Sequence, residues 1–252
     1  MTSAARVDCH VKVLDEAVVE QAKRRGLDAL VYAPHFTRWP SIEHRADAFS
    51  DDELTVVPGR ELFTGSWRDR RHVLALDLER PVPDFCTLEG TMDELDRQDA
   101  VVLVPHPGYA TVSFGREHVG TYRDQVDAVE THNAKFLPWH GRRARKIAAD
   151  FDLPSFGSSY AHVPATIGHV WTTFDTTIAA PGDLHDAFRE RVNRHVERRT
   201  GPAHVRQRAI EVGHLAWENS WEKFERLFLS GTEATHPAHV AYGGEFDDIR
   251  VY

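Results

Sequence analysis

Short apolar runs without polar alternation recur along this chain, and stretches with helical spacing of apolar residues separate them. Runs such as A-L-V-Y and V-V-L-V are typical of parallel strands that are covered on both faces. Eight such segments are strand candidates: residues 6–11, 28–33, 54–58, 72–78, 101–105, 128–131, 154–157 and 169–174. Repeated alternation of strands and helices restricts the chain to a barrel or a doubly wound sheet.

Three helices are predicted between these strands. The first ends near Gly26, a C-cap residue; the second covers residues 87–98, with Thr87 as N-cap; the third covers residues 137–150. Beyond residue 181 the pattern changes, and residues 183–199 and 202–229 have helical, charged patterns. We therefore expect a barrel domain over residues 1–180, and a helical extension with an irregular tail over residues 181–252.

Composition excludes several classes of protein. No apolar run approaches the roughly 18 residues that a membrane helix needs, and the N-terminus lacks a secretory signal, so we expect a cytoplasmic protein without a membrane partner. Two cysteines provide no disulfide framework. The net charge of −9 argues against a nucleic-acid partner. Only five of the thirty basic residues are lysines, a composition that resembles proteins of salt-loving archaea.

Polar side chains with metal-binding chemistry follow most of the predicted strands. In a parallel barrel all strand exits lie on one face, where active sites of such folds are built. His72 would join this group if its strand began beside the same cavity. The residues at the exits are His10, His35, Glu61, His106, Asn133 and His162.

Imidazoles and a carboxylate are ligands for zinc, manganese or iron. Such ions lower the pKa of bound water to about 7 in favourable sites, and a pair of them can clamp the attacking and leaving oxygens of a phosphate ester. Glu61 is the acidic residue placed to bridge two ions. The cluster therefore predicts metal-dependent hydrolysis of a phosphate ester.

Six ordered motifs resemble those of the polymerase and histidinol phosphatase (PHP) family, over roughly residues 6–175. They are D-C-H-V-K at residues 8–12, G-L-D-A-L-V-Y-A-P-H ending at His35, P-G-R-E at 58–61, V-P-H-P at 104–107, V-E-T-H-N at 129–133, and S-S-Y-A-H at 158–162 followed by Gly168. The resemblance implies an α/β fold, a distorted (β/α)7 barrel of the PHP type, here with a short helical C-terminal extension. It also implies metals at the strand ends, usually three.

Three positions depart from the family's motifs. Lys12 replaces a histidine, Pro34 an aspartate and Tyr160 an aspartate. On the family's pattern Glu61, His72 and His106 would complete one metal site, while the other sites are depleted. The resemblance implies one or two divalent ions, manganese, zinc or iron. Its implied ligands are His10, His35, Glu61, His72, His106 and His162.

Three functions fit these residues. In an altered phosphoesterase acting on a small phosphorylated substrate, His162 or His35 would assist proton transfer and Lys12 or Arg60 would hold phosphate. Lys12 beside Glu61 would alternatively stand in for a metal cation. Tyr160 and Arg116, the latter in the loop 108–120, are further predicted substrate contacts. A non-catalytic relative that binds a phosphorylated ligand or a protein partner is the second reading, and a metal-dependent amide hydrolase on a similar barrel is the third.

Overall fold

The computed structural model describes residues 4–66, 69–108, 112–202, 205, 209, 213 and 234–251. Within them the strands are β1 (Ala5–Val11), β2 (Ala29–Tyr32), β3 (Thr55–Ser66), β4 (Asp69–Leu76), β5 (Val101–Val104), β6 (Ala128–Asn133), β7 (Ser155–Ser158), β8 (Val170–Phe174) and β9 (Arg194–Arg198). The helices are α1 (Glu16–Arg24), α2 (Trp39–Phe49), α3 (Leu88–Arg97), α4 (Arg116–Thr121), α5 (Pro138–Asp150) and α6 (Pro181–Arg189).

One sheet contains all nine of these strands, in the order β7-β6-β5-β4-β3-β2-β1-β8-β9. The pairs β1–β2, β2–β3, β5–β6 and β6–β7 are parallel. The strand β4 is antiparallel to both of its neighbours, and β8 is antiparallel to β1 and β9. The expectation of an all-parallel barrel was therefore wrong for β4 and β8. Alternation of side chains does not encode strand direction, which explains the error.

The sheet curls until its two sides nearly meet. Val11, at the end of β1, forms a parallel bridge with Ala161, just beyond β7, and the Lys12 N–H donates to the Ala161 carbonyl at 2.9 Å. Farther along β7, the Gly157 N–H donates to the Thr172 hydroxyl of β8 at 2.8 Å. The result is the distorted α/β barrel that the sequence predicts.

Two apolar layers stabilise the barrel. Helices α1, α2, α3 and α5 cover its outer face. The interior layer contains strand residues such as Val57 and Leu74, together with Leu184 and Phe188 of α6. Phe188 packs edge-on against Phe156 and Phe174, with ring centroids 6.2 and 5.3 Å apart. Helix α6 thus belongs to the barrel core.

The three predicted helices between the strands are present as α1, α3 and α5. Asp15 caps α1 by accepting from the Val18 N–H at 2.9 Å, and Thr87 caps α3 by accepting from the Gly90 N–H at 3.1 Å. The helix expected over 183–199 was wrong beyond Arg189, because residues 194–198 pair with β8 as β9. Most of the helix predicted over residues 202–229 lies outside the described residues. The division into domains at residue 180 stays a prediction.

The C-terminal segment 234–251 packs against residues 84–90. Cys86 forms an antiparallel bridge with Arg250, and the Thr87 N–H donates to the Ile249 carbonyl at 2.7 Å. Tyr242 and Phe246 bury their rings beside Cys86. No helix within the described ranges is long and apolar enough to span a membrane.

Close packing at Gly157 provides a test of the barrel closure. A Cβ at this position would lie 2.4 Å from Cγ1 of Val196, a stiff β-branched neighbour on β9. We expect Gly157→Ala to lower the free energy of unfolding by about 1–3 kcal/mol. Gly182→Ala is the control, because nothing lies within 4 Å of a Cβ there. Urea unfolding in which both variants behave alike would contradict the packing of β7 on β9.

Candidate metal centre

Glu61 lies at the centre of the predicted cluster and is completely buried. It was expected to follow its strand, but β3 continues to Ser66. Strand alternation places Glu61 on the face that points into the barrel and Arg60 on the opposite face. His72 lies opposite Phe63 on the antiparallel β4, so its side chain reaches the same interior face as Glu61.

The Oε1 atom of Glu61 faces two imidazoles. His72 Nδ1 lies 3.0 Å from it and His106 Nε2 lies 2.9 Å from it. His106 has a left-handed backbone, with φ of 34°, and its Nδ1 lies 2.8 Å from the Ser113 hydroxyl. The His106 N–H donates to Glu130 at 2.6 Å. These contacts fix the His106 ring so that Nε2 faces the carboxylate.

Glu61, His72 and His106 fit a divalent metal ion. One ligand atom from each lies within 4.8 Å of the other two, and all three residues are buried. Burial lowers the pKa of His72 to about 4 in spite of the nearby carboxylate, so the ring is neutral at pH 7, as a metal ligand must be. Its Nε2 is buried without a hydrogen-bond partner among the described residues. Two nitrogens and one oxygen suit zinc, manganese or iron.

The Oε2 atom of Glu61 faces a lysine. The Lys12 ammonium donates to Oε2 and also to the Ala33 carbonyl, the latter at 2.6 Å. His10 Nε2 and His35 Nδ1 lie 3.4 and 3.3 Å from the same carboxylate oxygen. A register irregularity in β1 between residues 8 and 11 accompanies the inward turn of His10, as bulges near active sites do. On this side the Lys12 ammonium takes the place that a second cation would need.

The protonation states of Glu61, His10 and His35 agree with a lysine, and not a metal ion, on the Oε2 side of the carboxylate. Although burial alone would raise it, the pKa of Glu61 is held well below its usual value, with the Lys12 ammonium as the largest opposing cause. Burial and then Lys12 lower the pKa of His10 to about 3. The same two causes lower the pKa of His35 well below its usual value. At neutral pH the Oε2 side therefore consists of a carboxylate, an ammonium and two neutral imidazoles.

Tyr160 and His162 lie at the rim of the cluster, together with Lys135. The Lys135 ammonium lies 2.6 Å from His162 Nδ1 and 4.1 Å from the centre of the Tyr160 ring. Lys12 lies on the same ring at 5.4 Å, and the ring of His10 is 4.8 Å from it. Tyr160 and His35 are partly exposed, whereas His10 is fully buried. The cluster therefore reaches solvent beside Tyr160.

Two buried carboxylates, Asp8 and Glu130, accept hydrogen bonds from backbone groups around the cluster. Asp8 accepts the backbone N–H groups of Ser159 and Gly168, each at 2.8 Å, and so connects β1 to the segment after β7. Burial raises the pKa of Asp8 to about 6. Glu130 accepts the side-chain amide of Asn133 at 3.1 Å as well as the His106 N–H. Both acids serve to hold backbone and ligand residues in position.

Two predicted substrate contacts lie outside the cluster. The Arg60 guanidinium donates to Asp84 at 2.6 Å and to the Glu61 carbonyl at 2.9 Å, on the outer face of β3. Arg116 pairs with Asp150 on the surface. The structure thus brings His10, Lys12, His35, Glu61, His72, His106, Tyr160 and His162 together, and it separates Arg60 and Arg116 from them.

Sequence reasoning missed Lys135 and the role of Glu130. Lys135 belongs to none of the motifs, although it lies two residues beyond V-E-T-H-N and is one of only five lysines. A rare residue type beside a recognised motif is the signal that would have found it. The loop 108–120, with Ser113, was expected to shape the substrate pocket, but the contact of Ser113 with His106 depends on how the loop after β5 folds back.

Residues 138–193 match the family model described as PHP-associated. This segment covers α5 to the end of α6, and it follows the motifs at residues 8–12, 58–61 and 104–107 in the chain. The chain thus resembles the PHP family in these motifs and in this segment. The match lies at the C-terminal part of the PHP-like barrel; it includes Tyr160 and His162 but not Glu61, His72 or His106. No match was found among curated protein sequences.

Solved structures show the same fold at low identity. PsfC from Pseudomonas syringae is 21% identical, over 84% of this chain and 99% of that one, with a TM-score of 0.66. The lesion-specific endonuclease PfuEndoQ from Pyrococcus furiosus is 16% identical, over 77% and 58%, with a TM-score of 0.57. An amidohydrolase from Chromobacterium violaceum, solved with bound sulfate and no metal, is 12% identical, over 75% and 97%, with a TM-score of 0.55. These likenesses establish the PHP-like and amidohydrolase-like barrel fold.

Proposed function

We propose that this protein hydrolyses a phosphate ester of a small molecule with one divalent metal ion, held by Glu61, His72 and His106. The observation that supports this most strongly is the asymmetry of Glu61. Two imidazoles face Oε1, and the Lys12 ammonium faces Oε2. One side offers ligands to a metal, and the other already has a cation.

A divalent ion at Oε1 would supply Lewis-acid polarisation of a phosphoryl oxygen. The protein's own residues supply the rest of the proposed site. Ser113 and the buried Glu130 hold His106, so the ligand nitrogen keeps its direction. Lys12, fixed between Glu61 and the Ala33 carbonyl, provides a positive charge that needs no metal.

Lys135, Tyr160 and His162 are the residues that we place around the reacting phosphate. The ammonium of Lys135 and the hydroxyl of Tyr160 are donors suited to phosphate oxygens. Nδ1 of His162 lies 2.6 Å from the Lys135 ammonium and 3.0 Å from the Tyr160 carbonyl oxygen. In the tautomer in which Nδ1 accepts from Lys135, the His162 proton lies on Nε2. From there His162 would protonate the leaving oxygen. His35 is the second candidate for proton transfer, because its Nδ1 is buried without a hydrogen-bond partner in the described structure.

A non-catalytic barrel that binds a phosphorylated ligand is the second candidate function. The observation that favours it is the Lys12–Glu61 ion pair, which neutralises the carboxylate without a metal. The amidohydrolase of similar fold, solved with bound sulfate and no metal, is consistent with anion binding without catalysis. In this reading Lys12 and Lys135 would bind the ligand's phosphate, and no bond would be cleaved.

Hydrolysis of an aryl phosphate in the presence of Mn²⁺, Zn²⁺ or Fe²⁺ separates the two functions. We expect turnover that depends on added metal and falls by about 100-fold or more in His72→Ala, since loss of a metal's stabilisation amounts to several kcal/mol. His195→Ala is the matched control, because this imidazole is 60% exposed on the surface. Metal-independent turnover, or full activity in His72→Ala, would contradict the proposal. Phosphate binding without turnover would favour the second candidate.

A further inference from the structure

A cavity of about 430 Å³ lies between the N-terminal end of α5, the end of β6 and β9. Three arginines line it, Arg142 and Arg145 from α5 and Arg198 from β9, together with His132 from β6. We name this cavity the arginine cleft. Its basic side chains come from three separate elements, so they converge because of the fold and not because of a local run of charge.

The charge of the arginine cleft is unusual for this chain. The protein carries a net charge of −9, yet none of the described residues that line the cleft is an aspartate or a glutamate. Among the described residues, no carboxylate lies within 4.0 Å of its three arginines, whereas Arg116 pairs with Asp150 and Arg189 with Asp77. Uncompensated guanidinium groups around a concavity attract an anion more strongly than the same groups on a convex surface.

The pKa of His132 reflects the positive charge inside the cleft. Its Nε2 lies 3.3 Å from the Arg145 guanidinium, and its Nδ1 lies 3.2 Å from the Thr131 hydroxyl. Burial lowers the pKa of His132, and the charges of Arg145 and Arg198 lower it further. A neutral imidazole lies beside two guanidinium groups, and no carboxylate of the described residues pairs with those groups, so the cleft is available to an anion.

Gly141 lines the cleft at the point where helix α5 packs against the end of β6. A Cβ at that position would lie 3.3 Å from an Arg145 nitrogen and 3.6 Å from the Thr131 carbonyl. Phe136 and Leu137 form an apolar wall beside the arginines, and the Leu137 side chain is partly exposed. The cleft thus combines a cationic floor with an apolar wall, which suits an organic molecule that carries one strongly anionic group.

We propose that the arginine cleft binds the phosphate group of a small phosphorylated molecule. Planar guanidinium groups match phosphate oxygens in pairs, and arginine is the residue best suited to this recognition. The site is separate from the metal centre, since the cavity contains none of the residues around Glu61. Binding in the cleft does not require hydrolysis at the metal centre. The bound phosphate group would either position a substrate or act as a regulatory ligand.

Calorimetric titration with phenyl phosphate and with inorganic phosphate tests this site. The titrations use the full chain without substitutions in excess chelator, so that a metal cannot bind the anion. We expect saturable binding of phenyl phosphate that weakens by at least about tenfold in Arg142→Ala/Arg198→Ala, because each charged hydrogen bond is worth more than 1 kcal/mol. Weaker binding of inorganic phosphate is expected, since it lacks the ring that would cover the apolar wall.

Control variants distinguish binding in the cleft from a general effect of removing positive charge. Arg123→Ala removes an exposed arginine that pairs with Asp124, and it should leave binding unchanged. Circular dichroism verifies that each variant is folded. Unchanged binding in the double variant, equal loss in Arg123→Ala, or no binding in the parent would overturn the proposal. Tighter binding of a short single-stranded oligonucleotide than of phenyl phosphate would overturn the assignment to a small molecule.

Discussion

Replacing Glu61 with glutamine is expected to lower the free energy of unfolding of the metal-free protein by about 3–5 kcal/mol. Lys12 is 4% exposed and Glu61 is fully buried, so removal of the carboxylate leaves an ammonium inside the protein without its counter-charge. The Ala33 carbonyl and nearby neutral imidazoles do not replace a negative charge. Urea unfolding in the presence of chelator measures this loss.

Two further variants identify the cause. Glu53→Gln removes the 74% exposed partner of Lys23, and such surface pairs contribute at most about 1 kcal/mol. Lys12→Met in the Glu61→Gln background removes the uncompensated charge, so it should recover most of the stability. A loss in Glu61→Gln no larger than in Glu53→Gln, or no recovery in the double variant, would show that the Lys12–Glu61 pair does not neutralise the site.

Asp84→Asn is expected to cost a similar amount, about 3–5 kcal/mol. The Arg60 guanidinium is 1% exposed and pairs with Asp84 at 2.6 Å. Asp84 also accepts the Thr235 hydroxyl at 2.6 Å and the Phe63 N–H at 2.8 Å. The amide loses the charge that compensates Arg60 and one of the acceptors that anchor the C-terminal segment. The N–H of residue 84 donates to the Thr235 carbonyl at 2.8 Å, so its amide hydrogen should exchange faster, which hydrogen-exchange mass spectrometry detects.

The matched control for this change is Asp69→Asn. Asp69 pairs with Arg71 at 2.8 Å, but its side chain is 80% exposed, so the expected change is within about 1 kcal/mol. If Asp84→Asn were no more destabilising than Asp69→Asn in urea, the Arg60–Asp84 pair would not be a structural element.

Strand content was predictable because the apolar runs are short and bounded by turn residues. All eight predicted strands are present, and the exits of β1, β2, β5 and β7 bring His10, His35, His106 and His162 to one end of the barrel. The direction of β4 was not predictable, because period-two alternation is the same for parallel and antiparallel strands. β9 was mistaken for helix since its charged sequence, R-H-V-E-R, forms a strand only by pairing with β8.

Predictions for the site were limited by geometry that a linear motif does not contain. Glu61 of P-G-R-E was predicted to follow a strand, but the motif lies within β3. Strand alternation therefore places Arg60 and Glu61 on opposite faces of the sheet. The position of Lys12 between Glu61 and the Ala33 carbonyl depends on the meeting of β1, β2 and β3. Lys135 reaches His162 only because β6 and β7 are neighbours. These contacts are products of tertiary pairing.

The most direct test of the central claim is the metal content of the purified chain, measured by mass spectrometry after dialysis against Mn²⁺, Zn²⁺ or Fe²⁺. We predict about one ion per chain, lost in His72→Ala and retained in His10→Ala, because the Oε1 side of Glu61 offers a donor set for a single ion while Lys12 occupies the Oε2 side. Two ions per chain, no ion, or loss of the ion in His10→Ala with retention in His72→Ala would contradict this account.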